Sequence, residues 1–181
     1  MHKLILGQSF TGKSALAKQL GTALRAQGQV VIAYNPTREA GYTARDAFEC
    51  QAAQFESSDP EKFVAEINRL HREGHNKIFL IIDEAHEFFT RKDCAYSWIG
   101  TRGRHYGLTV IAITQRAANI NVTFRSQCST IYAFRANKSD MEFLREEFWH
   151  RDLSADDLKL PDGEYLKISK DGISRGNITD W

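Results

Sequence analysis

The sequence predicts an α/β fold of three layers, in which a mainly parallel sheet lies between two layers of helices. Apolar, β-branched runs alternate along the chain with segments of helical periodicity, a pattern typical of βαβ units. In addition, GQSFTGKS begins at Gly7, directly after a short apolar run and directly before a helical pattern. Its spacing is that of a phosphate-binding loop between a strand and a helix, which favours a nucleotide-binding α/β domain.

Three predicted strands and two helices fill the first half of the chain. KLIL at 3–6 is the first strand, and ALAKQLGTALRAQ at 15–27 has the apolar spacing of a helix that stops before a glycine. QVVIAYNP at 29–36 is the second strand, and the polar segment 37–59 is expected to be a loop with at most a short helix or strand. A helix follows from Pro60 to Gly74, and KIFLIID at 77–83 reads as a strand buried on both faces.

The second half continues the alternation and ends differently. LTVIAITQ at 108–115 and STIYAFRA at 129–136 are further strands. SDMEFLREEFWH at 139–150 is predicted to be a helix capped by Ser139 or Asp140. YLKISKDGISRGNI at 165–178 predicts a C-terminal hairpin around a Lys-Asp-Gly turn.

Length and composition are those of one globular domain. The 181 residues suit a single nucleotide-hydrolysing domain over 1–181, with a core over about 1–150 and a C-terminal appendage over about 151–181. They are too few for the two motor domains that most helicases carry. The longest apolar run, Ile78 to Ile82, is far shorter than the roughly 20 residues of a membrane helix, and no export signal opens the chain. A cytoplasmic location is therefore expected, and the three cysteines are expected to be free thiols.

The glycine loop predicts how a nucleotide is held. Gly7 and Gly12 allow consecutive backbone N–H groups to face a phosphate chain, and the helix that begins near Lys13 adds its positive end. Lys13 is expected to reach the β- and γ-phosphates of ATP, and the Ser14 hydroxyl to hold Mg²⁺. The loop residues expected to bind the nucleotide are Gly7, Gln8, Ser9, Phe10, Thr11, Gly12, Lys13, Ser14 and Ala15.

A second motif, IFLIIDEAHEF, ends its strand in two carboxylates. Asp83 is expected to support the Mg²⁺ ion. Glu84 is placed to polarise a water for in-line attack on the γ-phosphate, which favours hydrolysis over phosphoryl transfer to a metabolite. A solvated helix-cap residue is the alternative interpretation of Glu84. His86 completes the letters DEAH, a motif that also occurs in helicases, and Glu87 follows it. We interpret this match to the helicase motif as a coincidence.

The third motif, LTVIAITQR, predicts a sensor of the bound nucleotide. Its strand ends in Thr114 and Gln115, on the edge that also carries Asp83 if the strands are parallel. Gln115 is expected to hydrogen-bond the γ-phosphate or the attacking water and to pass the signal to Arg116.

The fourth stretch, TRGRHYG, offers an arginine for the developing charge on the γ-phosphate. Such an arginine is often supplied by a neighbouring molecule and can raise the rate by ~10³–10⁵. Arg104 is favoured over Arg102 for this role, with a DNA-phosphate contact and a surface salt bridge as alternatives. Arg125 is a further candidate, and the sequence leaves the choice among the three open.

Charge is unevenly distributed along the chain although its formal total is only +1. Residues 91–116 carry five Lys/Arg against one acid, whereas residues 139–164 carry nine acids against three bases. This split fits a basic channel with an acidic outer face, two adjacent subunits that attract each other, or two solvated faces.

Four segments together resemble the FtsK–HerA superfamily of ring-forming DNA-pumping ATPases. They are GQSFTGKS, FLIIDEAHEFF, RGRHYGLTVIAITQR and FRSQCSTIYAFRANKSDMEFLREEF. The chain is most similar to the small genome-packaging ATPases of membrane-containing, double-jelly-roll phages and related viruses, from about Lys3 to Phe148. The phosphate loop is shared by many proteins, whereas Arg-His-Tyr-Gly-Leu running into a strand that ends in Thr-Gln is more specific.

The resemblance implies a RecA-like P-loop NTPase core with an additional strand in its sheet. It also implies a homohexameric ring around double-stranded DNA, ATP and Mg²⁺ as cofactors, and an arginine acting in trans. Capsid or membrane-vertex proteins of a virus are implied partners, and a viral vertex is an implied location. Residues expected to push the DNA backbone are Arg38, Arg45, Arg91 and Lys92. Unlike the cellular pumps, the protein is expected to have no N-terminal domain before this core. The tail from Leu160 to Trp181 is interpreted as a hairpin at the nucleotide or a docking element.

Two other functional classes remain open. One is a phage assembly or export ATPase like the filamentous-phage morphogenesis proteins, which share a similar Arg-His…Thr-Gln segment but carry a membrane span. The other is a nucleotide or metabolite kinase, against which Glu84 and the lack of an acceptor-binding lid both argue.

Overall fold

A computed structural model of the chain describes residues 2–38, 40–45, 51–89, 95–148, 153–154 and 156–180. The strands are β1 (His2–Leu6), β2 (Val30–Tyr34), β3 (Phe55–Ser57), β4 (Ile78–Ile82), β5 (Leu108–Thr114), β6 (Cys128–Ala133), β7 (Glu164–Ser169) and β8 (Gly172–Asn177). The α-helices are α1 (Lys13–Ala26), α2 (Pro60–Arg72), α3 (Trp98–Thr101), α4 (Val122–Arg125) and α5 (Lys138–Phe148). Short 3₁₀ helices span Gly103–Tyr106, Ala117–Asn119 and Ile178–Asp180.

The strands form one sheet in the order β3-β2-β4-β5-β1-β6-β7-β8. Every pairing from β3 to β6 is parallel, and β7 and β8 are antiparallel additions at one edge. β5 lies between β1, which leads into the phosphate loop, and β4, which leads into Asp83. The α/β class, the mainly parallel sheet, the additional strand and the C-terminal hairpin are therefore confirmed.

Two buried clusters cover the two faces of the sheet, as three layers require. On one face α1 packs Leu16 and Leu20 against alternate strand residues such as Ile5. On the other face α2 packs Phe63 and Ile67 against the strand residues that point the opposite way. This division follows from the alternation of side chains along a strand, and it buries β4 on both faces.

The segment 37–59 contains a short strand, β3, as the sequence prediction allowed, and β3 pairs with β2 at the edge of the sheet. One local detail differs from the prediction. The expected cap of α5 by Ser139 or Asp140 is wrong: the helix begins at Lys138, and the Asn137 side chain accepts the backbone N–H of Asp140 at 3.1 Å. An asparagine side chain is short enough to close back on the first turn, so the cap lies one residue before the helix.

In the described part of the chain, no helix is both long and apolar enough to cross a membrane. Cys128 is buried, and its thiol lies 3.6 Å from the Phe124 carbonyl oxygen, whereas Cys50 and Cys94 lie outside the described residues.

The fold brings the ends of three strands to one edge of the sheet. β1, β4 and β5 run parallel, with Leu6 opposite Thr114 and Ile82 opposite Ala112. The phosphate loop, the Asp83 segment and Gln115 therefore emerge side by side. This carboxyl edge is where ligands bind in open α/β sheets.

Candidate nucleotide-binding site

The phosphate loop is fixed by the ends of its two neighbouring strands. The N–H of Gly7 donates to the Thr114 carbonyl at 3.3 Å, and the N–H of Gln8 donates to the Arg135 carbonyl at 2.9 Å. Gly12 has φ +107°, and a Cβ there would lie 3.2 Å from Ile178 Cδ1. Glycine is needed at this position because the backbone is left-handed and the C-terminal segment leaves no room.

Lys13 begins α1 and lies inside the loop. Its side chain is buried, and Nζ donates to the Gln8 carbonyl at 2.7 Å. Thr11 Oγ1 donates to the same carbonyl at 2.8 Å, which holds the loop curved around the ammonium group. Burial lowers the pKa of Lys13, and the charges of Asp83 and Glu84 offset part of that effect. The curved loop thus presents a cation and the helix N-terminus to the same space.

Asp83 follows β4 directly, and both of its carboxylate oxygens accept hydrogen bonds. Oδ2 accepts the buried hydroxyl of Tyr42 at 2.8 Å, and Oδ1 accepts the Glu84 N–H at 3.0 Å. The Tyr42 hydroxyl is also within hydrogen-bond reach of the Ser14 side chain. Burial raises the pKa of Asp83, and the two hydrogen bonds offset part of that effect.

These residues fit a magnesium ion by their chemistry. A hydroxyl and a buried carboxylate are hard oxygen donors of the kind that Mg²⁺ uses beside phosphates. A divalent cation would also favour the charged form of Asp83, which burial disfavours. Ser14 and Asp83 are the residues that would hold the ion.

Glu84 has a left-handed backbone with φ 46°, uncommon for a residue with a Cβ. The turn aims its carboxylate along the edge of the sheet, where Gln115 Nε2 lies 3.4 Å from Oε1. His86 Nδ1 lies 3.3 Å from Oε2. Glu87 faces away and accepts the Tyr34 hydroxyl at 2.6 Å. Glu84 and Gln115 therefore stand together, as their predicted roles require.

A cavity of about 420 Å³ joins these groups. Its described lining includes most residues that the sequence predicted for the site, together with Thr37 and Ala40. The predicted residues that line it are Ser9, Phe10, Gly12, Lys13, Ser14, Ala15, Asp83, Glu84 and Gln115. Gly7, Gln8 and Thr11 form the loop behind them.

Arg116 connects the sensor position to α5. Its Nη2 donates to Ser139 Oγ at 3.0 Å, and its Nε lies 3.7 Å from Asp140 Oδ2. The other Asp140 oxygen accepts the N–H of Ala117 at 3.0 Å. A displacement of Gln115 would therefore move its sequence neighbour Arg116, which contacts the first turn of α5.

The three candidate arginines lie in two different settings. Arg102 and Arg104 are exposed in the turn before β5. This turn lies at the amino ends of the strands, where the Gly107 carbonyl accepts the N–H of Ile78 at the start of β4. At about 3.3 Å per residue, the seven residues of β5 put this turn roughly 20 Å from the phosphate loop of the same chain. Arg125 instead donates to the Ala117 carbonyl at 3.3 Å and stacks over Phe143.

The residues proposed to push DNA are mostly engaged or outside the described part of the chain. Arg38 Nε donates to Ser58 Oγ at 3.0 Å, and Arg45 has partners within the chain. Arg91 and Lys92 lie outside the described residues.

Sequence reasoning missed Tyr42 and the part played by the tail. Tyr42 lies in an irregular polar segment without a motif, and its backbone carbonyl is fixed by the N–H of Ala53 at 3.0 Å. The tail reaches the phosphate loop through the N–H of Gly163, which donates to the Thr11 carbonyl at 3.0 Å. The tail thus packs against the phosphate loop, and its interpretation as a hairpin at the nucleotide or a docking element stays a prediction.

A family model described as zonular occludens toxin (Zot) matches residues 1–171. The chain belongs to the Zot family. The comparison with curated proteins gives no match.

Several solved structures share the fold of this Zot-family chain. The genome packaging NTPase B204 of Sulfolobus turreted icosahedral virus 2, in complex with AMPPCP, matches with a TM-score of 0.76 and 20% identity, covering 97% of this chain and 96% of that one. VirB4 of Thermoanaerobacter pseudethanolicus matches with a TM-score of 0.71 and 13% identity over 97% and 88%. EccC of Thermomonospora curvata, in complex with a signal sequence peptide, matches with a TM-score of 0.65 and 14% identity over 97% and 36%.

These matches confirm the predicted resemblance and the P-loop NTPase fold. The chain is a P-loop NTPase by family and by fold, and structures of this fold hold ATP analogues. At these identities the likeness defines the fold alone.

Proposed function

We propose that this chain hydrolyses ATP and uses the energy to translocate double-stranded DNA as a homo-oligomeric, hexameric ring that packages a viral genome. The observation that carries the proposal is the contact between Glu84 and Gln115 at the mouth of the cavity that also holds Lys13, Ser14 and Asp83. A carboxylate beside a sensor amide suits the activation of water, which a metabolite kinase does not need.

Each predicted residue then has a defined task. The loop N–H groups from Ser9 to Ala15 bind the phosphates, because those of Gly7 and Gln8 are held by strand-end carbonyls. Lys13 leaves the Gln8 carbonyl to contact the β- and γ-phosphates. Glu84 accepts a proton from the attacking water, and Gln115 orients that water or reads the γ-phosphate. Ser14 and Asp83 hold Mg²⁺, which when bound neutralises phosphate charge.

The position of the arginines supports the proposed ring. Arg104 is roughly 20 Å from the phosphate loop of its own chain, by the strand spacing used above, so it acts on the nucleotide of an adjacent subunit. Arg102 lies in the same turn and is the second candidate. Arg125 is less suited, because its guanidinium is already bound within its own chain.

Double-stranded DNA is the proposed substrate because a similar fold is named for genome packaging in B204. Binding would go largely through phosphates, so it would be independent of sequence and would weaken steeply with salt. Arg38 and Arg45 remain proposed contacts to the DNA backbone. Proteins of a viral capsid or membrane vertex are the proposed docking partners.

The test is the ATP turnover per molecule over a wide range of protein concentration, with and without linear double-stranded DNA. We expect turnover to rise steeply with concentration and to increase further with DNA, because adjacent subunits complete each site. Single-stranded DNA is the matched ligand control, and Lys13→Ala measures contaminating ATPase. A constant turnover that ignores DNA would contradict the proposal.

A second candidate is an assembly or export ATPase. It is favoured by the likeness to EccC, which is described with a bound signal sequence peptide, and by a family named for a toxin rather than for packaging. This candidate predicts a turnover that rises with protein concentration, ignores DNA and responds to a protein or peptide substrate.

A further inference from the structure

Phe10 is an unusual residue for the tip of a phosphate loop. Its side chain is 97% exposed, and its backbone is left-handed with φ 62°, a conformation that bulky residues rarely adopt. The loop around it is fixed on both sides by Gln8 and Thr11. The ring is therefore held outward at the cavity mouth by a rigid backbone rather than exposed by chance.

The amino ends of the strands, opposite the phosphate loop, carry a cleft with aromatic walls. A cavity of about 380 Å³ lies between α2 and the turn before β5, lined by Asn68, His71, Trp98, Arg102 and Tyr106. The rings of Trp98 and Tyr106 meet edge to face at 6.1 Å, and Tyr106 is 58% exposed. A second cavity continues from it past His71 and His105. We call these two cavities together the arginine-side cleft.

We propose that Phe10 of one copy of this chain docks into the arginine-side cleft of the next copy. The proposal rests on the proposed function and names the contact that would complete its active site. Tyr106 lies two residues from Arg104 in one short 3₁₀ helix, which rises only about 2 Å per residue. A neighbour whose Tyr106 contacts Phe10 therefore brings Arg104 to the phosphate side of the loop.

Charge favours the same pairing. The cleft edge carries the exposed Arg102 and Arg104, and no described carboxylate forms an ion pair with either of them. The Phe10 edge carries Asp83 and Glu84 and, when loaded, the phosphates of ATP. Opposite potentials that meet across an interface steer association and fix its orientation.

The geometry also makes the contact head to tail. Phe10 lies at the carboxyl edge of the sheet and the cleft at the amino edge, so the two surfaces on one chain are different. Contacts between different surfaces generate rings or filaments rather than two-fold dimers, as the proposed ring requires.

A rival surface lies nearby and must be distinguished. A cavity lined by Ile120, Asn121, Val122, Thr123 and Arg125 also offers an exposed apolar side chain, since Val122 is 60% exposed. If Phe10 docked there, Arg125 rather than Arg104 would approach the nucleotide. The arginine-side cleft is favoured because Arg125 is already engaged with Ala117 and Phe143.

The experiment is a double-mutant cycle on the self-association of the chain in the presence of ATP, measured by sedimentation velocity. The variants are Phe10→Ala, Tyr106→Ala and their combination, with Phe10→Ala plus Val122→Ala as the matched second cycle. Tyr106 and Val122 are both exposed, so neither truncation opens a core. We expect Phe10→Ala and Tyr106→Ala each to weaken association at least 10-fold and to be non-additive together, because the two side chains touch. Phe10 and Val122 should add.

The other outcomes overturn the inference. They are unchanged association of Phe10→Ala, coupling of Phe10 to Val122, and a chain that stays monomeric at every concentration with ATP. A further outcome is that Phe10→Ala changes only the affinity of dilute protein for a fluorescent ATP analogue and leaves association unchanged. That result would also overturn the inference, because Phe10 would then contact the nucleotide. If Phe10 and Tyr106 couple but DNA leaves turnover unchanged, the docking stands and the DNA-pumping proposal fails.

Discussion

The buried hydroxyl of Tyr42 donates a 2.8 Å hydrogen bond to Oδ2 of Asp83, at the wall of the candidate nucleotide cavity. Burial and the neighbouring carboxylate both raise the pKa of Tyr42, so it remains a donor. Ser14 lies within reach of the same hydroxyl. Tyr42 therefore positions the two residues proposed to hold Mg²⁺.

Tyr42→Phe should raise the Mg²⁺ concentration for half-maximal ATP hydrolysis about 10-fold, because groups that orient metal ligands typically contribute that much. The ring still fills its place, so the fold should persist. The measurement is turnover over a Mg²⁺ titration at saturating ATP, beside a thermal melt.

Tyr34→Phe is the matched control for this change. The Tyr34 hydroxyl is part-buried and, like that of Tyr42, bound to a carboxylate, but its partner is Glu87, outside the cavity. An equal Mg²⁺ shift in both variants would remove Tyr42 from the positioning role.

Glu84→Gln should bind ATP and hydrolyse almost none. Removal of the group that accepts the proton of water should lower turnover by roughly 10²–10⁴-fold, whereas the loop that binds the phosphates is unchanged. Binding is followed with a fluorescent ATP analogue and hydrolysis by phosphate release. Glu87→Gln, three residues later and turned toward Tyr34, should keep its turnover; normal hydrolysis by Glu84→Gln would contradict the assigned role.

Mixing two inactive variants tests the arginine in trans. Arg104→Ala subunits retain an intact phosphate loop, and Lys13→Ala subunits retain the arginine, so mixed rings should contain some complete sites. Turnover measured across mixing ratios should pass through a maximum. Arg102→Ala and Arg125→Ala mixed with Lys13→Ala are the controls, and no recovery with Arg104→Ala at any ratio would assign the arginine elsewhere or to its own chain.

His2 should make the stability depend on pH. The ring is 1% exposed, its Nδ1 accepts the Val110 N–H at 3.0 Å, and burial lowers its pKa to about 4. A pKa below the unfolded value of 6.5 means that the neutral ring stabilises the fold above pH 6.5. That contribution, at most about 3 kcal/mol, is lost as the pH falls from 6.5 toward 4.

Denaturant unfolding of the wild type and His2→Gln over pH 4–7 measures this effect. The free-energy difference between them should shrink as the pH falls. An NMR titration of the His2 ring gives the same answer without a variant, and a pKa near 6.5 would contradict it.

The sequence identified the parts of the site that depend on local chain geometry. GQSFTGKS defines a strand, a turn and a helix within a few residues, and its glycines serve that turn wherever it lies. Asp83 and Gln115 end apolar strands, and parallel strands place their ends on one edge. Motif spacing and β-branched runs were therefore enough to predict Lys13, Ser14, Asp83, Glu84 and Gln115 as neighbours.

Other contacts depend on pairs far apart in the chain. Tyr42 reaches Asp83 across 41 residues, and the tail reaches the phosphate loop through Gly163 and Thr11. Local propensities do not predict such contacts, because the contacts depend on how an irregular segment and the C-terminal hairpin pack.

The sequence by itself determined the fold class, the phosphate loop and the carboxylates that follow it, because these depend on short-range periodicity and spacing. Only the tertiary structure decided that Tyr42 donates a hydrogen bond to Asp83 and that Arg104 lies about the length of β5 away from its own phosphate loop. Burial and sheet order set both relationships, and both arise when distant segments pack together.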